Sequence, residues 1–258
     1  MQTSNILAGK TVLVTGGCSG IGQAIAVAAA RHGAKAVIVS DTTDSPRDGG
    51  DPIAVRIEEL GVPARFRYAN VAKRRDNDVL VEAACEFDGV DVMVLNAGIS
   101  LHADGPDVSE GDYRRLMSVN LDGMLLGAQA AACQMRRLRK AGSIVLMSSM
   151  AGIASGGKTV AYSTSKGGVI LLAKALAGAL GPDSIRVNSV APGVIDTGIL
   201  CATPAVAAVA EGFRHRTPLR RLGLPAEVGD AVAFLGSDLS SYISGITLCV
   251  DGGLLSVI

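Results

Sequence analysis

TVLVTGGCSGIG, Thr11 to Gly22, is the stretch on which the fold turns. A short apolar run with β-branched members reads as a buried strand. It passes directly into a loop in which Gly16, Gly20 and Gly22 let the backbone turn tightly and approach a pyrophosphate. A helix opening near Ile21 would aim its free N–H groups and positive dipole end at the same place. Glycine-rich turns are common by chance. What gives this one weight is its position, after the first strand and at the start of a helix.

The same alternation continues along the chain. Thr11–Val14, Ala36–Ser40, Ala64–Tyr68, Val92–Leu95, Ser143–Met147, Arg186–Val190 and Thr247–Val250 read as strands. Most are apolar on both faces, as expected of a parallel sheet covered on two sides. Ile21–His32, Ile53–Leu60, Arg74–Phe87, Asp112–Lys140 and Tyr162–Leu180 read as helices. This pattern predicts an α/β fold: one Rossmann-like, doubly wound parallel sheet of about seven strands, helices on both faces, in a single domain over 1–258. No internal repeat or dividing linker is visible, and DTTDSPRDGGDP (Asp41–Pro52) is a loop. Residues 198–223 hold Pro204 and Pro218 and are mostly small and apolar. They are either a substrate-loop insertion above the sheet or an ordinary surface helix pair.

Bulk properties exclude several classes. The 24 basic residues balance 24 acidic ones, so no nucleic-acid field or anionic-membrane partner is expected. The cluster of Arg136, Arg137, Arg139 and Lys140 falls where a helix should end and stabilises that end. Five scattered cysteines and three distant histidines give no disulfide framework and no metal site. No leader or membrane-spanning run is seen, and a cytoplasmic chain is expected.

The second strand ends in Asp41, whose carboxylate can accept both ribose hydroxyls of an adenosine and would repel a 2′-phosphate. Thr42 follows, the glycine loop offers Cys18 and Ser19 rather than a base, and Arg47 is the nearest cation. This favours NAD over NADP. An Asx turn at Asp41 is compatible with either.

Further on, AYSTSKGG (Ala161–Gly168) places Tyr162 and Lys166 one helical turn apart on one face. Ser149 lies at a strand end, where ligands of open α/β sheets sit, and the loop after it can return the chain to Tyr162. A unit charge at ~4 Å contributes about 4 kcal/mol at an effective dielectric of 20, against which desolvation works. The expectation is a Tyr162 phenol drawn down toward ~7–8 by Lys166, with the pyridinium of NAD⁺ adding to the pull, suited to proton transfer. The structural alternatives are an exposed helix pair for Tyr162 and Lys166, a turn serine for Ser149 (with Ser148 as a substitute), and a helix-interior polar residue for Asn120.

With the glycine loop (Thr15–Gly22), NAG (Asn96–Gly98), VNLDG (Val119–Gly123), Ser149, Tyr162/Lys166, PG (Pro192–Gly193) with Ile195 and Thr197, and a terminal DGG (Asp251–Gly253), the chain resembles the short-chain dehydrogenase/reductase family over nearly its full length. The resemblance implies Tyr162 as acid/base, Lys166 as the group that lowers its pKa and holds the nicotinamide ribose, Ser149 on the substrate oxygen, and Asn120 ordering a water. It assigns Gly16, Ser19, Gly20, Ile21, Gly22, Asp41, Asn70, Val71, Asn96, Gly98, Pro192, Gly193, Ile195 and Thr197, with Tyr162 and Lys166, to the dinucleotide. It also implies a homotetramer built on the helix Asp122–Ala141 and the helix that carries Tyr162. Two positions depart from the family: Leu95 stands where Asn is common, and Asn70 where Asp is frequent.

The activity implied is NAD-dependent hydride transfer to or from a secondary alcohol, polyol or sugar. The alternatives are a 3-oxoacyl-thioester reductase, which would prefer NADPH, and a non-catalytic nucleotide-binding protein. Ser100, His102, Met150, Ile153, Val194 and parts of 198–218 are the expected substrate wall, and the substrate itself is left open.

Overall fold

Seven parallel strands form one sheet in the order β3-β2-β1-β4-β5-β6-β7. This is seen in a computed structural model describing residues 5–47, 49–101, 105–155, 157, 159–197 and 204–257, with the backbone alone over 204–209. The strands are β1 (Thr11–Thr15), β2 (Ala36–Asp41), β3 (Ala64–Tyr68), β4 (Val92–Leu95), β5 (Gly142–Met147), β6 (Ile185–Pro192) and β7 (Thr247–Val250). The seven expected strands are all present, each within two residues of its expected ends.

Alternation along each central strand divides the core in two. Val12 and Val14 pack with Val37, Val39, Val92 and Val94 against α1 (Gly20–Arg31) and α8 (Pro225–Gly236). Leu13, Ile38, Met93 and Leu95 pack with Ile144 and Leu146 on the other face. That face is covered by α3 (Arg74–Glu82), α5 (Gly123–Arg137) and α6 (Val160–Leu180). Both faces being dry is why these strands read as continuous apolar runs. The outer strands are less enclosed: Tyr68, at the end of β3, is 69% exposed.

Two helices differ from the sequence reading. Asp112–Lys140 is not one regular helix: α4 (Glu110–Met117) passes through a π-helical turn, Ser118–Asp122, into α5. Helix α8 goes unread in the sequence, although Pro225 at its first position is a common start. The remaining helices are α2 (Ile53–Glu58) and α7 (Pro204–Arg216), the latter within the predicted insertion.

The chain runs β1-β2-β3 outward, then crosses back to lay β4 on the other side of β1. Strand order thus reverses between β1 and β4, and the crevice beyond their carboxyl ends is where ligands bind in open α/β sheets. No described helix is long and apolar enough to cross a membrane.

Candidate active site

A cleft of about 450 Å³ opens at that switch point. Its lining includes Gly16, Ser19, Gly20, Ile21, Gly22, Asp41, Asn70, Val71, Asn96, Gly98 and Thr197, all singled out in the sequence. The glycines are there for steric reasons. Gly16 and Gly20 adopt left-handed backbone, with φ of 63° and 55°. A Cβ on Gly22 would lie 2.0 Å from the Gly16 carbonyl oxygen, so no side chain fits. Ser19 makes no side-chain cap, and the Gln23 N–H bonds the Ser19 carbonyl at 3.2 Å. The first amides of α1 precede that bond and have no intrahelical acceptor, which suits an anion.

Asn96 ties the loop down. Its Nδ2 donates to the carbonyls of Thr15 and Gly16, both at 3.0 Å, while Thr15 Oγ1 accepts the Asn96 and Ala97 N–H groups. The departure at Leu95 is absorbed by packing: Leu95 is buried against Gly127, where a Cβ would come within 2.4 Å of its Cδ2. Asn70 accepts the Ala72 N–H on its Oδ1, and its own N–H goes to Asp76.

Helix α6 carries Tyr162 and Lys166, which with Ser149 and Asn120 are not among the residues lining the cleft but adjoin it through Gly98. Tyr162 is half-buried and hydrogen-bonded through its side chain to Ser149. Ser149 also accepts the Ala151 N–H at 3.1 Å, capping the short turn Met150–Gly152. The two serines differ in their contacts: Ser148 is buried and donates to the Lys166 carbonyl at 2.8 Å, whereas Ser149 bonds Tyr162. Lys166 is 4% exposed, and its Nζ donates to the Met147 carbonyl at 2.8 Å and lies 5.7 Å from the Tyr162 ring centroid.

The phenol does not follow the expectation of a downward shift. In the chain itself, burial pushes the Tyr162 hydroxyl above its ordinary value, and the Ser149 hydrogen bond offsets this only partly. Burial likewise lowers Lys166 to about 8. The ammonium is turned to the Met147 carbonyl and is not among the groups that shift the phenol.

Asn120 sits in the π-helical turn, fully buried. Its Oδ1 accepts the Ile99 N–H at 2.8 Å; its Nδ2 donates to the Ile99 carbonyl at 2.9 Å and to Ser165 Oγ at 3.3 Å. A Cβ on Gly98 would lie 3.4 Å from Asn120 Oδ1 and 3.5 Å from Lys166 Nζ, so Gly98 borders both groups. Single-turn π bulges recur at functional sites.

The structure does not bring every expected residue into the cleft. The Ile195 side chain is buried in the core and would meet a Cβ on Gly223 at 2.5 Å. Pro192 ends β6, and Gly193 packs so closely on Asp251 that a Cβ would come within 2.8 Å of its Cα. Asp251 in turn accepts the Gly253 and Leu255 N–H groups, which explains the terminal DGG. His102 and residues 198–203 lie outside the described residues. Conversely, Arg115 lines the cleft without having been singled out in the sequence, and Val119, quoted there only as the start of VNLDG, lines it too. Their spacing, one helical turn apart just before Asn120, is the signal that marks them. Among the described residues no cluster of His, Cys, Asp or Glu could hold a metal ion.

A glycine cradle and a carboxylate at the end of β2 in one crevice, with a Ser-Tyr-Lys group adjoining it, are the arrangement expected of a nicotinamide-dependent oxidoreductase. Comparison with known proteins agrees. Residues 16–255 match the family model described as enoyl-(acyl carrier protein) reductase. The chain is 40% identical over 250 residues to L-rhamnose 1-dehydrogenase (NAD(P)(+)) of Sphingomonas sp. (strain SKA58), covering 96% of this chain and 97% of that one. It is 36% identical to 3beta-hydroxysteroid dehydrogenase 1 of Eggerthella lenta, over 96% and 94% of the two chains. The crystal structure of a short-chain type dehydrogenase/reductase from Mycobacterium marinum superposes with a TM-score of 0.87 at 33% identity, covering 96% of each chain. The chain belongs to the short-chain dehydrogenase/reductase family. It is an NAD(P)-dependent oxidoreductase of CH–OH groups.

Proposed function

We propose that the chain oxidises a sugar at a ring CH–OH group, with NAD⁺ as the preferred acceptor and L-rhamnose as the first substrate to try. The observation that carries the chemistry is the Ser149–Tyr162 hydrogen bond at a strand end beside the cleft. The sugar is suggested by the rhamnose dehydrogenases among the relatives, and the NAD preference by Asp41.

The residues present fit a dinucleotide, because the cradle at Gly16 and Gly22 has no room for side chains and Gly98 borders Lys166. The pyrophosphate would lie at the start of α1, the adenosine ribose at Asp41, and the nicotinamide end toward Thr197 and Lys166. When bound, nicotinamide supplies the hydride acceptor at its C4, taking two electrons from the substrate carbon. The protein handles the proton and the geometry. Ser149 donates to the substrate oxygen. Tyr162 as phenolate takes the hydroxyl proton as the C–H bond breaks, leaving a carbonyl. Lys166 holds the ribose and stabilises the phenolate, and Asn120 keeps the polar route beside Gly98 in place. Residues 198–223 serve as the substrate cover. The chain acts in the cytoplasm as a homotetramer through α5 and α6.

The test is reduction of NAD⁺ by a panel of aldoses, polyols and secondary alcohols at mildly alkaline pH, repeated with NADP⁺ and with Tyr162→Phe. Turnover with a sugar that Tyr162→Phe abolishes supports the proposal; turnover that survives the substitution sinks it. The family-model description favours one second reading, reduction of an acyl thioester. NADPH oxidation by an enoyl or 3-oxoacyl thioester, with none of the sugars active, would establish that instead.

A further inference from the structure

We infer that a second pocket, between α1, α2 and α8, binds a short amphipathic monocarboxylate, with its carboxylate on Arg31 and Arg56 and its hydrocarbon tail laid along α1. The pocket measures about 430 Å³ and shares two lining residues, Gly20 and Thr197, with the dinucleotide cleft. Those two form the partition: a Cβ on Gly20 would lie 3.6 Å from Thr197 Cγ2. On α1 the wall is a single stripe, with Gly20, Gln23, Val27 and Arg31 recurring at three- and four-residue spacing. At 1.5 Å per residue that stripe runs about 16 Å, from the cleft to the last turn of the helix. Pro225 and Ala226, at the start of α8, add apolar surface opposite. The space is fixed by backbone. A Cβ on Gly229 would lie 2.9 Å from the Ala24 carbonyl oxygen and from Ala28 Cβ, so α1 and α8 already touch and cannot close further.

The charges select the ligand. Arg31 and Arg56 stand in the last turns of α1 and α2, and neither guanidinium makes an ion pair or hydrogen bond among the described residues. Both helices carry the chain back toward the amino ends of the strands, so the two cations lie toward the same end of the pocket. Of the two acids in the lining, Asp230 is held by His32 Nε2 at 2.9 Å. Asp196 adjoins Thr197 beyond the carboxyl end of β6, at the opposite end. Uncommitted positive charge thus stands at one end, a carboxylate at the other, and Ala24, Val27 and Ala28 between them. A guanidinium fork matches the two oxygens of a carboxylate. A second anionic group further along would meet Asp196, which selects monocarboxylates over dicarboxylates. The carbonyl ends of α1 and α2 oppose an anion and keep the affinity modest. No atom of this ligand reacts, so the site is separate from hydride transfer.

Calorimetric titration of the whole chain with sodium octanoate tests this without substrate or nucleotide. The expected result is one site with Kd on the order of 0.1–1 mM, a modest efficiency for ten heavy atoms. Octan-1-ol, which keeps the tail and lacks the charge, and octanedioate, which adds a second charge, should each bind about tenfold more weakly. Each CH₂ removed from octanoate should weaken binding by up to about fourfold. Arg31→Ala and Arg56→Ala should each cost about tenfold, and Arg31→Lys should recover part of it. Ala226→Phe, at an exposed position, should block the pocket without lowering Tm. Saturating NAD⁺ should leave the octanoate stoichiometry at one, because the two ligands share only a partition. Absence of saturable binding below about 10 mM would overturn the inference. So would wild-type affinity in both arginine variants, or competitive displacement by NAD⁺, which would place octanoate in the dinucleotide cleft.

Discussion

Lys166 Nζ donates to the Met147 carbonyl oxygen at 2.8 Å, and among the described residues this is the one hydrogen bond given to that buried ammonium. A charge so placed costs stability, which burial expresses by lowering Lys166 from 10.5 to about 8. At 1.36 kcal/mol per unit the ceiling on that cost is about 3 kcal/mol. Lys166→Met keeps the volume and removes the charge. We expect it to abolish turnover and to raise Tm by a few degrees, corresponding to roughly 1–2 kcal/mol once the orphaned carbonyl is counted. A lower Tm would show that the lysine is a net stabiliser.

The same residue has a pH signature. Between pH 8 and about 10.5 the unfolded lysine binds a proton that the folded one has shed, so its contribution to stability rises with pH across this window. Cys18, pushed up to about 12 by burial, works in the opposite sense from pH 9 upward in every variant that retains it. The difference in unfolding free energy between the wild type and Lys166→Met should therefore shrink from pH 8 to pH 10. A constant difference would mean that Lys166 does not titrate there.

Ser148 and Ser149 are adjacent and should fail differently. Ser148→Ala removes the side-chain donor to the Lys166 carbonyl, leaving that carbonyl only its helical partner, which costs about 1 kcal/mol of stability and little in kcat. Ser149→Ala removes the bond that lowers the Tyr162 pKa, so the alkaline rise in kcat/KM should move to higher pH, with kcat falling about a hundredfold. Matching pH profiles for the two variants would contradict this assignment.

Gly152 is where the serine turn meets the catalytic helix. A Cβ there would lie 2.6 Å from both the carbonyl carbon and the oxygen of Lys166. Gly152→Ala must push the turn away from α6 and pull Ser149 off Tyr162. We expect kcat/KM to drop about tenfold or more, with NAD⁺ affinity retained. Gly157, a few residues on, has nothing within 4 Å of its Cβ position, and Gly157→Ala should be silent. Equal losses in the two variants would point to general loop damage.

Leu171 is 68% exposed on α6. If α5 and α6 bury one another's surfaces between subunits, Leu171→Glu should split the assembly, read as a drop in mass by light scattering. A wild type already monomeric at micromolar concentration would end the tetramer proposal.

The parts of this site that are legible in the sequence are those where chemistry demands unusual residue combinations. Only glycine fits at Gly22, Asp41 ends β2 at the wall of the cleft, and Tyr162 and Lys166 share a helical face because of their spacing. What stays hidden depends on the folded surroundings. The Tyr162 pKa is raised by burial, an effect partly offset by the Ser149 hydrogen bond, and spacing reveals neither. Ile195 falls within a recognisable motif yet packs its side chain into the core. Arg115 looks like one more charged residue on an exposed helix until the cleft is seen beside it.

The π-helical turn at Ser118–Asp122 acts as a phase shift. One surplus residue in a helix of 3.6 residues per turn rotates everything beyond it by about 100°. Met124, Ala128, Ala131 and Met135 meet the sheet only because that rotation has been made. Removing any single residue from the turn would leave every apolar side chain of α5 in the chain and turn its dry stripe a quarter-circle toward water. Chain length at this point is therefore as strictly constrained as the identity of Asn120, and an alignment gap here would mark a relative whose helix is wound to a different register.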